Sequence, residues 1–119
     1  HDRRRFGGGM PQVWPFAAVA LHHLDGFAAE YAAALEMADD LFARLEASGK
    51  FQVERVPDGT NVVLLKLVGG DAEALRNRLR ALGVDLPAPR TDGVFPVKTN
   101  PTLNRTTAAD LAGTILNTV

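Results

Sequence analysis

One segment limits the possible folds more than any other. From Phe27 to Leu45, apolar side chains recur at Phe27, Tyr31, Ala34, Leu35, Ala38, Leu41, Phe42 and Leu45, while Glu30, Glu36, Asp39, Asp40, Arg44 and Glu46 take other positions. Spacing by threes and fours places the apolar set on one side of an α-helix. Gly49 follows, and glycine adopts the left-handed backbone of a helix C-terminus without steric cost. The pattern predicts a long amphipathic helix near residues 27–48. Its stripe must lie on a second layer, which the rest of the chain has to provide.

The segments after Gly49 read as that layer. Phe51 and Val53 alternate with Gln52 and Glu54, as on a half-exposed strand. Pro57-Asp58-Gly59 is a turn, and Asn61 to Val68 is a β-branched and leucine-rich run that suits a more buried strand. Asp71 stands as the N-cap of a helix carrying Leu75, Leu79 and Leu82 on its apolar side and Arg76, Arg78 and Arg80 toward solvent; Gly83 closes it. Val84–Leu86 is read as a short strand. Val94–Lys98 is a strand placed at an edge, because Pro96 has no N–H to donate to a ladder. Residues 100–105 read as a loop, and Thr107 with Asp110 as a capping pair opening the last helix. The expected fold is α+β: a small, mainly antiparallel sheet of about three or four strands with helices on one face.

A helix over 11–24 precedes all of this, with Val13, Phe16, Ala17, Ala20, Leu21 and Leu24 on one side. So small a sheet leaves it no partner, and Trp14 and Phe16 each need about 150–250 Å² of cover. The helix is therefore expected to belong to, or pack on, a large domain that precedes it. Residues 1–25 are read as a basic, Gly-rich arm and connecting helix, and residues 26–119 as a small domain.

Bulk properties exclude several functions. The 119 residues are 46% hydrophobic and 23% charged, a globular balance, and the net charge of −1 draws the chain neither to nucleic acid nor to an anionic membrane. No apolar run approaches the roughly 20 residues of a membrane span. The chain has no cysteine, which removes disulfides and thiolate chemistry and is compatible with the cytoplasm.

Individual candidates are few. Arg3-Arg4-Arg5 and Gly7-Gly8-Gly9 precede a helix, an arrangement that either cradles an anion or forms a flexible arm; it matches neither of the usual phosphate-binding glycine motifs. His22 and His23 point about 100° apart on a helix and cannot share a metal. Lys98 alone reads as a surface lysine. Composition and spacing thus reach a small α+β domain and stop short of a reaction.

Several short segments extend the reading. Arg3 to Gln12, with its Gly-Gly-Gly-Met stretch, the alanine-rich helix after it, the long helix, Gly59-Thr60-Asn61-Val62-Val63, Thr99-Asn100 and Thr106 to Asp110 occur in this order. Together they resemble the C-terminal part of pyridoxal-phosphate (PLP) enzymes of the threonine aldolase and β-eliminating lyase family, of fold type I. The resemblance implies a lyase acting on amino acids, by Cα–Cβ cleavage or β-elimination, in a homodimer or homotetramer. It places the catalytic lysine, which forms the Schiff base with PLP, upstream of His1, so no catalytic residue falls in this chain and the chain alone is expected to be inactive.

By the same resemblance Arg4, Gly7 and Gly8 lie on the cofactor side. Lys98 occupies the strand that carries the family's substrate-carboxylate arginine. The chain departs from the family at two points: Pro11 replaces an arginine, and the strand Val94–Lys98 contains none. Lys98 offers a point charge where the family has a bidentate fork. From another class, a freestanding α/β interaction or ligand-sensing domain that uses its sheet face also accounts for the residues.

Overall fold

The computed structural model describes residues 13–55 and 61–119. They form α1 (Trp14–Leu24), α2 (Phe27–Ala47), β1 (Phe51–Arg55), β2 (Val62–Leu67), α3 (Ala72–Ala81), β3 (Val94–Lys98), a 3-10 helix (Pro101–Arg105) and α4 (Ala108–Thr118). The strands make one antiparallel sheet in the order β1-β2-β3. The fold is the small α+β class expected. The turn at Pro57–Gly59 lies outside the described residues.

The register explains which face is buried. Val53 pairs with Leu65, and Leu65 with Phe95, so one row of the pleat carries Val53, Leu65 and Phe95; the row beside it joins Val63 to Val97. These side chains join Leu41, Phe42 and Leu45 of α2, Leu75 and Leu79 of α3, and Ala112 and Ile115 of α4 in one core. All three helices thus cover the same face. On the other face Gln52, Glu54, Lys66 and Lys98 are exposed, and Val62, Leu64, Val94 and Pro96 are half-buried. β3 is an edge strand, and Pro96 lies within it.

Local chemistry sets the helix ends. Gly49 has φ 72° and donates its N–H to the Glu46 carbonyl at 3.0 Å, ending α2. The Asp71 carboxylate accepts from the N–H groups of Glu73 (2.9 Å) and Ala74 (3.1 Å), satisfying two donors at the start of α3 that have no partner within the helix. At α4, Thr107 Oγ1 accepts from Asp110 N at 3.1 Å and donates to Asp110 Oδ2 at 2.8 Å. The acid thus returns to the capping hydroxyl rather than to the cap's own N–H.

Four expectations need correction. Val84–Leu86 forms no strand. Val84 N donates back to the Leu79 carbonyl (3.0 Å) and Arg76 Nε donates to the Leu86 carbonyl (3.0 Å), so side-chain and helix-end bonds replace a ladder. Arg76 is therefore more than a solvated arginine. Residues 101–105 form a 3-10 helix rather than a plain loop: Asn100 Oδ1 accepts from Thr102 N at 2.9 Å and Pro101 occupies the first turn, where a missing N–H costs nothing. Leu82, the C-cap at the end of α3, is exposed rather than part of the apolar side.

α1 begins at Trp14 and has no buried residue. Trp14 is 72% exposed and Phe16 61%. Asp25, in extended conformation, and Gly26, at φ 88°, turn the chain between α1 and α2. A side chain at position 26 would strain this corner.

Candidate functional site

Lys98, the one substrate-binding candidate among the described residues, ends β3 on the face away from the helices, across from Val62. It is exposed and forms no ion pair among the described residues. It lines an open groove of about 450 Å³ with Asp85, Leu86, Pro87, Pro96, Val97 and Asn100. A smaller cavity of about 140 Å³ shares Lys98, Asp85 and Asn100 and reaches inward to Leu65 and Ile115. Lys98 and Asp85 are the charged residues on the groove's lining, beside apolar Leu86, Pro87, Pro96 and Val97.

The backbone beneath Lys98 is held firmly. Thr99, 2% exposed, donates its N–H to the Asn61 carbonyl at 2.8 Å, and Asn61 Nδ2 donates to the Thr99 carbonyl at 2.8 Å. Tyr31 Oη reaches that carbonyl from α2 at 3.4 Å, a long bond. Asn100 Nδ2 donates to the Lys98 carbonyl at 3.3 Å. Asn104 Nδ2 donates to the Glu30 carbonyl at 2.9 Å, tying the 3-10 helix to α2. The chain on either side of Lys98 is thus clamped while its ammonium is left to solvent. Such a group attracts a carboxylate or phosphate as a point charge, in competition with water.

In the sequence, Asn61, Thr99 and Asn100 stand out only through the resemblance. Their bonding role had a local signal in the repeated Thr-Asn pairs at 60–61 and 99–100, which bound two strands. Asp85 and Tyr31 had none, because only folding brings them to β3.

Arg4, Gly7 and Gly8 lie outside the described residues. His22 and His23 are exposed on α1, their rings edge to face at 4.9 Å. No group of three or more metal-ligating side chains occurs among the described residues. Asp39 and Asp40 belong to surface ion pairs, with Arg55 (2.6 Å) and Arg44 (2.9 Å). Lys50 Nζ donates to the Leu116 carbonyl at 3.0 Å, and Lys66 is exposed on the open face of the sheet. A second groove, of about 530 Å³, runs between Leu82–Asp85 and the 3-10 helix with α4, bordered by Arg105 and Asp110. Among the described residues, no helix is long and apolar enough to cross a membrane.

Comparison with protein-family models, with curated proteins and with solved structures gave no match.

Proposed function

We propose that this chain is the C-terminal small domain of a PLP-dependent lyase acting on amino acids, of the threonine aldolase or β-eliminating type. The observation that carries the reading is the meeting of Asn61 with Thr99 directly beside Lys98. Two short segments, distant in sequence and each drawn from the resemblance, join at the strand end that would face a substrate. The small sheet covered by helices on one side, behind a helix with no buried residue, agrees with a domain appended to a larger one.

The described residues do not themselves form a PLP site. Arg4, Gly7 and Gly8 lie outside them, and Lys50, Lys66 and Lys98 are all exposed rather than set in a cofactor-sized enclosure. In such an enzyme the cofactor supplies the electron sink. The role assigned to this chain is substrate binding: Lys98 attracts the amino-acid carboxylate, and the Asn61–Thr99–Asn100 bonds keep its strand from shifting. The parent is a homodimer or homotetramer.

A second reading draws on the open sheet face, where Val62, Leu64, Val94 and Pro96 are half-buried between charged neighbours. That surface suits a freestanding interaction or ligand-sensing domain. The two separate on one experiment: the complete product of the gene, incubated with PLP, is given β-hydroxy-α-amino acids. Release of glycine with an aldehyde, or of ammonia with a keto acid, supports the lyase. Neither product, with no change in PLP absorbance, supports the second reading.

A further inference from the structure

The cavity of about 140 Å³ lies where α2, the sheet and α4 meet. Leu41 and Leu45 of α2, Leu65 of β2 and Ile115 of α4 line it, and each is 0–4% exposed. Its polar lining residues, Asp85, Lys98, Asn100 and Thr102, are all exposed, so polarity is confined to the outer end. Among the described residues no buried side-chain nitrogen or oxygen lacks a hydrogen-bond partner, so no side chain of the inner wall calls for water. A buried water needs about two to four polar partners, and an apolar cavity without them stays dry. Most interiors hold few voids larger than a water molecule, because lining atoms without a neighbour forfeit their dispersion contacts. An apolar guest restores those contacts.

Residues 84–86 stand between this cavity and both surface grooves. Val84 borders the cavity and the groove beside Arg105, Leu86 borders the cavity and the groove beside Pro87, and Asp85 borders all three. The segment belongs to no ladder. It is held by Val84 N to the Leu79 carbonyl and by Arg76 Nε to the Leu86 carbonyl, each at 3.0 Å. A cover with so few bonds opens locally at a lower cost than a strand of the sheet, which gives a small molecule access without global unfolding.

We propose that the cavity beneath residues 84–86 is a ligand site for one compact apolar group, the size of a six-membered ring. Volume sets the size: an apolar cavity of about 150 Å³ takes up benzene. The lining sets the chemistry. At the inner end a charged or hydroxyl group would lose its water and find no side chain to replace it. Any polar group of the ligand therefore stays at the outer end, with exposed Asp85, Lys98 and Asn100. The ligand class is a small molecule with a single ring or a branched aliphatic group at one end and its polar atoms at the other. This site does not depend on the PLP reading.

The test is a titration of the full 119-residue chain, methyl-labelled at Ile, Leu and Val, with benzene, followed by NMR. Ring currents should shift the methyl signals of Leu41, Leu45, Leu65 and Ile115 in a saturable way, with a Kd on the order of 1 mM or below. The methyls of Leu21 and Leu24, exposed on α1, should stay in place. Imidazole, a polar ring of similar size, should shift none of them. Leu111→Phe fills the cavity from α4 and should raise the Kd about tenfold or more with circular dichroism unchanged. Val84→Phe fills it from the covering segment and should do the same. No saturable shift up to the solubility of benzene, equal shifts at Leu21 and Leu24, an equal response to imidazole, or an unchanged Kd in either variant once folded would overturn the proposal.

Discussion

Asn61 and Thr99 bond to each other twice, Thr99 N to Asn61 O and Asn61 Nδ2 to Thr99 O, both at 2.8 Å. The first bond continues the β2–β3 ladder by one residue; the second exists only because residue 61 carries an amide. Asn61→Ala leaves the ladder bond and removes the side-chain donor beside a buried residue. The expected loss is about 1–2 kcal/mol, read as a lower urea midpoint with an unchanged slope. Tyr31→Phe, which deletes only the 3.4 Å bond to the same carbonyl, should cost less.

Arg76 and Arg78 stand two residues apart on α3 and should behave differently. Arg76 donates from Nε to the Leu86 carbonyl and from a terminal nitrogen to Glu73 at 2.9 Å, whereas Arg78 is exposed. Arg76→Ala should lower the unfolding free energy by about 1–2 kcal/mol, with faster amide exchange at Val84. Arg78→Ala should stay within about 0.5 kcal/mol of the parent chain. Equal effects would show that the Leu86 bond is not holding the 84–86 segment.

Phe95 is fully buried on the sheet's covered face, and Leu64, one strand away, is half-buried on the open face. Phe95→Ala should destabilise by about 3–5 kcal/mol through lost transfer energy and a residual cavity. Leu64→Ala should cost well under half as much. A reversed order would mean that the open face is the better covered one.

These contrasts also show how far the chain could be read before folding. α2, the Gly49 and Gly83 ends, the Asp71 cap and the edge position of Pro96 were legible because each depends on residues within one helical turn or on a single missing donor. Pro101 after Asn100 is such a signal too, for the 3-10 helix that stands where a loop is expected. The 84–86 error has a different origin: a three-residue apolar run is a strand only if a partner strand is within reach, and there Arg76 supplies a side chain instead. At the candidate site, Lys98 stands out only through the resemblance; by itself it reads as a surface lysine. The groove it borders depends on Asp85 and Pro87, which lie more than ten residues away in the chain. No local pattern announces such a pairing.

Lys98 makes no ion pair among the described residues and no ladder bond through its side chain, so its removal should leave stability unchanged. Under the proposed function it should matter for substrate. In the complete enzyme, Lys98→Ala is expected to raise KM for the amino acid about tenfold or more while kcat changes less, and Lys98→Arg to restore KM. Unchanged kinetics with Lys98→Ala would remove Lys98 from the site.

Under the proposed function, the lysine that forms the Schiff base with PLP lies elsewhere in the same polypeptide. The most direct measurement is borohydride reduction of the complete gene product with PLP, followed by mapping of the labelled lysine by mass spectrometry. The account predicts one stoichiometric label, on a lysine N-terminal to His1, and none on Lys50, Lys66 or Lys98. Stoichiometric label on one of those three, or no label anywhere in the polypeptide, would contradict it.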